Sequence, residues 1–211
     1  MKGLLLKDLY MAARYCRSYA VVLLVFSVAS IWGDNMFFMI YPVLMTAIIP
    51  VNLISYDEKS KWSVYAGTFP YSRGELVSVK YVMVLIFLGI SVLMIAATQA
   101  IKMAIYGAVG WKELGLIIAV LPVIGLIGPC IMLPPIFKFG VEKGRGFFYY
   151  GAIIVVGALY GAAGAIGNDA DIMAFLLTAG IWIIPAFLAA GVLLLWGSWQ
   201  LSINFYKKRE L

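Results

Sequence analysis

No histidine occurs in the sequence, and its only two cysteines, Cys16 and Cys130, lie far apart in different hydrophobic contexts. A Cys/His metal site, a histidine-dependent serine or zinc protease site and a disulfide framework are excluded together. Charge is scarce as well: 12% of the residues are Asp, Glu, Lys or Arg, against 64% hydrophobic. Soluble domains carry about 25% charged residues, so this composition calls for lipid as solvent. There is also no G-x-x-x-x-G-K-S/T run to hold nucleotide phosphates and magnesium; the glycine-bearing stretch 140–146 lacks the lysine-hydroxyl pair. Asp169 and Asp171 share a short polar turn and read as turn formers rather than as a paired-carboxylate site. The chain is expected not to be an enzyme and to bind no metal or cofactor of its own.

Long charge-free runs are what remains, and six of them approach the roughly 20 residues a helix needs to cross a bilayer. They cover 18–32, 36–54, 81–101, 114–137, 147–166 and 172–199. The expected fold class is all-α integral membrane, a single transmembrane domain over residues 1–211. In the last span Gly180 and Pro185 mark a place for a break or a re-entrant turn. Residues 1–17 read as an interfacial amphipathic helix, with Lys7, Arg14 and Arg17 on one side and Leu5, Leu9, Ala12, Ala13 and Cys16 on the other. A signal peptide cleaved near Ser27–Ser30 is the weaker reading of the same segment.

Orientation follows from the lysines and arginines, because basic residues near span ends stay on the cytoplasmic side. Fourteen of the sixteen fall before the first span, between spans two and three, between spans four and five, and after the last; Lys102 and Lys112 are the exceptions. Both termini are therefore expected inside. The net charge of +6 is dispersed over these four segments rather than gathered on one face, which argues for topology and against nucleic-acid binding.

The longest polar segment is 55–80. Ser55 and Glu58 fit an S-x-x-E capping box, followed by Trp62, Tyr65, Ala66 and Phe69 at the spacing of one helical face, with Pro70 as the stop. A second box, Ser72 and Glu75, opens the next helix. The first of these helices is either a surface helix anchored by its aromatics or a docking helix for a protein partner. Asp57, Glu58, Lys59 and Lys61 mix both signs, which suits a protein better than an anionic lipid surface.

The run from Tyr56 through Trp62, then Tyr65, Thr68 to Leu76 and Lys80-Tyr81, resembles the intracellular loop of small bacterial ABC-2 permeases, the membrane subunits of ATP-driven exporters. The opening Met1 to Leu9 is similar to that family's interfacial N-terminal helix, and the resemblance spans the chain. Within the family the nearest similarity is to permeases of exporters for amphipathic peptide toxins such as phenol-soluble modulins. The resemblance implies a bacterial plasma-membrane protein working as a homodimer beneath which two ABC ATPase subunits bind ATP and magnesium. It implies a coupling helix over 56–69 seated on the ATPase, with Tyr56, Asp57, Glu58, Lys59, Trp62, Tyr65, Phe69 and Arg73 as docking residues. Larger relatives carry an extracellular elaboration before the last span, where this chain has only a five-residue turn, 167–171. The implied cargo is amphipathic or lipid-like. A non-ATP channel or an assembly scaffold is the alternative.

No span carries an ionisable residue in its middle, which disfavours an ion-coupled transporter. The fourth span holds Pro122, Pro129, Pro134 and Pro135, so a kink or break is expected there, serving either as a gate or hinge or as a static bend. In the fifth, Gly157, Gly161 and Gly164 form a small-residue stripe for close helix packing.

Overall fold

The computed structural model describes residues 2–33, 36–66, 68–107, 110–144, 146 and 180–208. These residues are helical throughout, with no strand among them: α1 Lys2–Tyr15, α2 Arg17–Trp32, α3 Phe37–Ala47, α4 Ile49–Lys59, α5 Trp62–Ala66, α6 Arg73–Tyr106, α7 Trp111–Phe139 and α8 Gly180–Lys208. Among the described residues four segments are long and apolar enough to span a membrane, and a fifth is added if the bent pair α1 and α2 counts as one. The expected span at 147–166, with Gly157, Gly161 and Gly164, lies outside the described residues, as does the turn 167–171.

α1 and α2 meet at an angle of 70° around Cys16. The row that α1 buries is Leu4, Asp8 and Ala12, continued by Cys16, four residues apart each time. Of the apolar face expected at Leu5, Leu9, Ala12, Ala13 and Cys16, Ala12 and Cys16 are buried, Leu5 and Leu9 are half-buried and Ala13 is exposed. An acid occupies the middle of the buried row, because it has partners elsewhere in the fold.

α3 and α4 together make one crossing, Phe37–Lys59, jointed at Ile48, where Pro50 at the start of α4 removes an N–H from the ladder. The crossing continues past residue 54, so Ser55 is an interior helical residue and no cap forms there. A capping box needs non-helical backbone at its serine, and the apolar run before Ser55 is already wound. Residues 56–69 are correspondingly not one helix: α4 ends at Lys59, Lys61 reverses the chain at φ 53°, and α5 lasts five residues.

The second box forms as expected. Ser72 has extended backbone, its hydroxyl accepts from the Glu75 N–H at 3.2 Å, and the Glu75 carboxylate accepts from the Ser72 N–H at 2.9 Å. The helix it opens, α6, runs 34 residues to Gly107, whose left-handed φ of 60° closes it. At about 1.5 Å per residue it outreaches a hydrocarbon core of about 30 Å.

α7 is a single unbroken helix through all four prolines. Pro134 lacks the N–H that would bond the carbonyl of Cys130, and Ser198 of α8 replaces it, donating from Oγ to that carbonyl at 2.7 Å. Because each hydroxyl has one proton, the bonds around it have a direction. Ser198 gives its proton to Cys130, so Tyr81 donates to Ser198 at 2.7 Å and Ser202 donates to Tyr81 at 2.7 Å. The main core lies where α3, α6, α7 and α8 converge, around Val43, Val84, Leu88, Leu133 and Ile136. Gly125 makes the approach possible: a Cβ there would stand 2.7 Å from Leu88 Cδ1 and from Val43 Cγ1. α8 likewise passes Pro185 without interruption.

Candidate functional site at the basic end

The start of α1, the end of α4, the start of α6 and the ends of α7 and α8 meet at one end of the bundle around a cavity of about 80 Å³. Four charges converge there. Lys80 of α6 donates to Asp8 Oδ2 at 2.6 Å and to Asp57 Oδ2 at 2.7 Å. Lys7 donates to Asp57 Oδ1 at 2.7 Å, and the second Asp8 oxygen, which receives no hydrogen bond, faces the Lys7 ammonium at 3.3 Å. Exposure of the Asp8, Lys80 and Asp57 side chains is 2%, 9% and 12%. Two cations and two anions in so dry a place cancel formally. Removing any one leaves an uncompensated charge, most costly where the site is driest, at Asp8 and Lys80.

The knot joins three helices that are remote in sequence, and side chains around it extend the joint. Lys7 also sits 4.3 Å from the Trp62 ring centroid, a cation–π contact that fixes α5 against α1. Trp62 stacks on Phe69, which in turn meets Tyr71, so the linker leading to α6 folds back on the same group. Glu58 Oε2 accepts the Val141 N–H at 3.0 Å, holding the chain just beyond α7. Arg73 donates to the Lys207 carbonyl at 2.9 Å, which places a cation at the C-terminal end of α8 where its dipole is negative.

The residues expected to dock a partner therefore divide by direction. Asp57 is buried, Glu58 and Trp62 are half-buried, and all three are engaged within the chain; Arg73 is exposed yet tied to α8. Tyr56, Lys59, Tyr65 and Phe69 are exposed, with Tyr56 stacked on Tyr15 at 4.7 Å between centroids. Lys7, Asp8 and Lys80 complete the site without having been singled out by sequence. Lys7 and Lys80 read there as orientation charges, and Asp8 carried the one signal: an acid in register with Leu4 and Ala12 on a buried face. Pro134 is the hinge candidate that acquires a partner helix, through Ser198.

Among the described residues no group of His, Cys, Asp and Glu could hold a metal ion. A second polar layer lies toward the other end, where Gln99 donates to Ser30 at 3.1 Å and buried Lys102 to the Gly33 carbonyl at 3.3 Å.

No curated protein and no solved structure matches this chain. A family described as ABC-2 family transporter protein matches it over residues 3–207. With nearly its whole length inside that match, and with helices built to cross a membrane meeting in a buried joint at their basic end, the chain belongs to the ABC-2 transporter family.

Proposed function

We propose that this chain is the permease subunit of an ATP-driven exporter, working as a homodimer in a bacterial plasma membrane with both termini inside. Energy comes from a separate ABC ATPase, which binds ATP and magnesium; the permease itself carries out no catalysis. The observation that carries this reading is the buried joint of Lys7, Asp8, Asp57 and Lys80. A push against the end of α4 and α5 cannot be absorbed locally, since α4 is ion-paired to α1 and α6 through Asp57 and α5 is held to α1 by the Lys7–Trp62 cation–π contact. It reaches the spans as a rigid-body motion. The docking face on this reading is Tyr56, Lys59, Tyr65 and Phe69, the exposed members of the loop, while Asp57, Glu58 and Trp62 stiffen it from behind. Gathering of the basic segments at one end supports the orientation. The apolar and aromatic spans, without ionisable groups at mid-depth, suit an amphipathic or lipid-like cargo such as a membrane-active peptide.

The test is to extract the protein from native membranes in mild detergent and identify what co-purifies near one-to-one. An ATPase bearing a phosphate-binding loop, lost when Lys59 and Tyr65 are both replaced by Ala, is the expected result. A stable complex without any ATPase, reproduced after crosslinking, would overturn the proposal in favour of a channel or an assembly scaffold.

A further inference from the structure

The inside corner of the α1–α2 bend is hollow. A groove of about 360 Å³ opens there, walled by Leu9 and Ala12 of α1, Ala20 and Leu23 of α2, Ile49 of α4 and Phe87 of α6. Three alanines in the corner, Ala12, Ala13 and Ala20, leave it unfilled. Its walls offer almost no polarity. The Thr46 hydroxyl, which also borders it, is turned onto its own helix, donating to the Pro42 and Val43 carbonyls at 2.9 and 3.1 Å. Water gains nothing in such a groove, and hydrocarbon fits it.

At the rim stands Arg17. Its Nε donates to the Ala13 carbonyl at 2.9 Å, which holds the guanidinium across the bend, while its two terminal nitrogens have no partner among the described residues. The side chain is exposed at the first turn of α2, and Arg14, one turn earlier and also exposed, lies against the Tyr15 ring. An apolar groove ending at a pre-oriented cation is complementary to one kind of occupant: a molecule with an alkyl chain and an anionic head. In a membrane-spanning chain whose basic end carries this bend, that molecule is supplied by the inner leaflet. We infer that the α1–α2 corner is a binding site for a single anionic phospholipid, its acyl chain along Ala12, Ala20 and Phe87 and its phosphate on Arg17. The lipid fills the corner and so braces α1, the helix that supplies Lys7 and Asp8 to the joint.

The full-length protein is purified in detergent, delipidated, incubated with phosphatidylglycerol or with phosphatidylcholine of the same acyl chains, and examined by native mass spectrometry. One phosphatidylglycerol per chain is expected, retained about five-fold better than phosphatidylcholine, the contribution of one arginine at an anionic headgroup. Arg17→Gln should abolish that preference, and Ala20→Phe, which fills the groove from an exposed position, should remove both adducts; Ala13→Phe repeats the second test from α1. Equal retention of the two lipids by the unaltered chain would overturn the inference. So would a preference unchanged in all three variants, displacement of the lipid by glycerol 3-phosphate alone, or a groove variant that changes only the dimer fraction, which would make the corner a contact between copies.

Discussion

Replacing Lys80 with Met probes the buried joint most directly. The change keeps the length and apolar stem of the side chain but deletes the ammonium that bonds Asp8 at 2.6 Å and Asp57 at 2.7 Å. What remains is one cation between two nearly dry carboxylates. Breaking a buried pair by removing one partner costs about 3–5 kcal/mol. Lys7, still 2.7 Å from Asp57 and 3.3 Å from Asp8, offsets part of this, so the lower edge applies, about 3 kcal/mol. For a chain of this size each kcal/mol moves Tm by about 2–4 °C, giving a loss of about 6–12 °C. The assay is an intrinsic-fluorescence melt of the full-length protein in detergent. Adding Asp8→Asn to Lys80→Met restores formal neutrality and should recover more than half of the loss, since the excess negative charge rather than the missing contact dominates. Lys7→Met should cost less than Lys80→Met, because Lys7 is the more exposed of the two lysines, at 24%. A Tm unchanged within about 2 °C in Lys80→Met, or a double variant melting below the single one, would refute the argument that the four charges act as a unit.

Three further outcomes are expected in the same melt. Ser198→Ala strips the Cys130 carbonyl of the donor that replaces the missing Pro134 N–H; a loss of about 1 kcal/mol follows, larger than for Ser202→Ala, which touches Tyr81 alone. Gly144→Ala should be more damaging than Gly125→Ala. A Cβ at Gly144 would lie 2.8 Å from Ile136 Cα and 2.9 Å from its backbone N, whereas at Gly125 it meets only side-chain atoms that can shift. Ser72→Ala removes the cap at the start of α6 and should cost about 1 kcal/mol, most of it recovered by Ser72→Asp; equal melting of Ala and Asp variants would show that the cap contributes nothing.

What could be read in the sequence followed the range of the interaction. The Ser72–Glu75 box was legible because both of its bonds close within three residues. Ser55–Glu58 shows the same letters at the same spacing, yet Glu58 serves Val141, 83 positions away, and the apolar turn before Ser55 carries the helix straight through. Hydropathy runs at 36–54, 81–101 and 114–137 fall within crossings of the described residues, the last of these at Leu114–Phe139, while the final one is displaced from 172–199 to Leu188–Lys208. The loop after α4 stood out as a polar interval, but which of its side chains face outward depends on Lys7 and Lys80, 50 and 23 positions from Asp57. Proline spacing announced a kink or break in α7, yet the helix runs on unbroken, and the hydroxyl that serves the Cys130 carbonyl comes from α8, 68 positions on. Pairings of this kind have no local signature, and lysines that also read as orientation charges hide them further.

The joint also sets a timetable for biogenesis. Asp8 emerges from the ribosome 72 residues before Lys80, which at about 5–20 residues per second is an interval of about 4–14 s. Throughout it Asp8 has Lys7 beside it but lacks the 2.6 Å bond from Lys80, so burying it is costly and hydration at the water boundary is favoured. Lys7 is a cation available for deciding which side of the membrane the first span begins on until Asp57 of α4, 50 positions later, pairs with it. Burial of Asp8 is thus completed only by a residue made 72 positions later, and a nascent chain halted before Lys80 holds α1 to α4 through Lys7 alone among the charges of the joint.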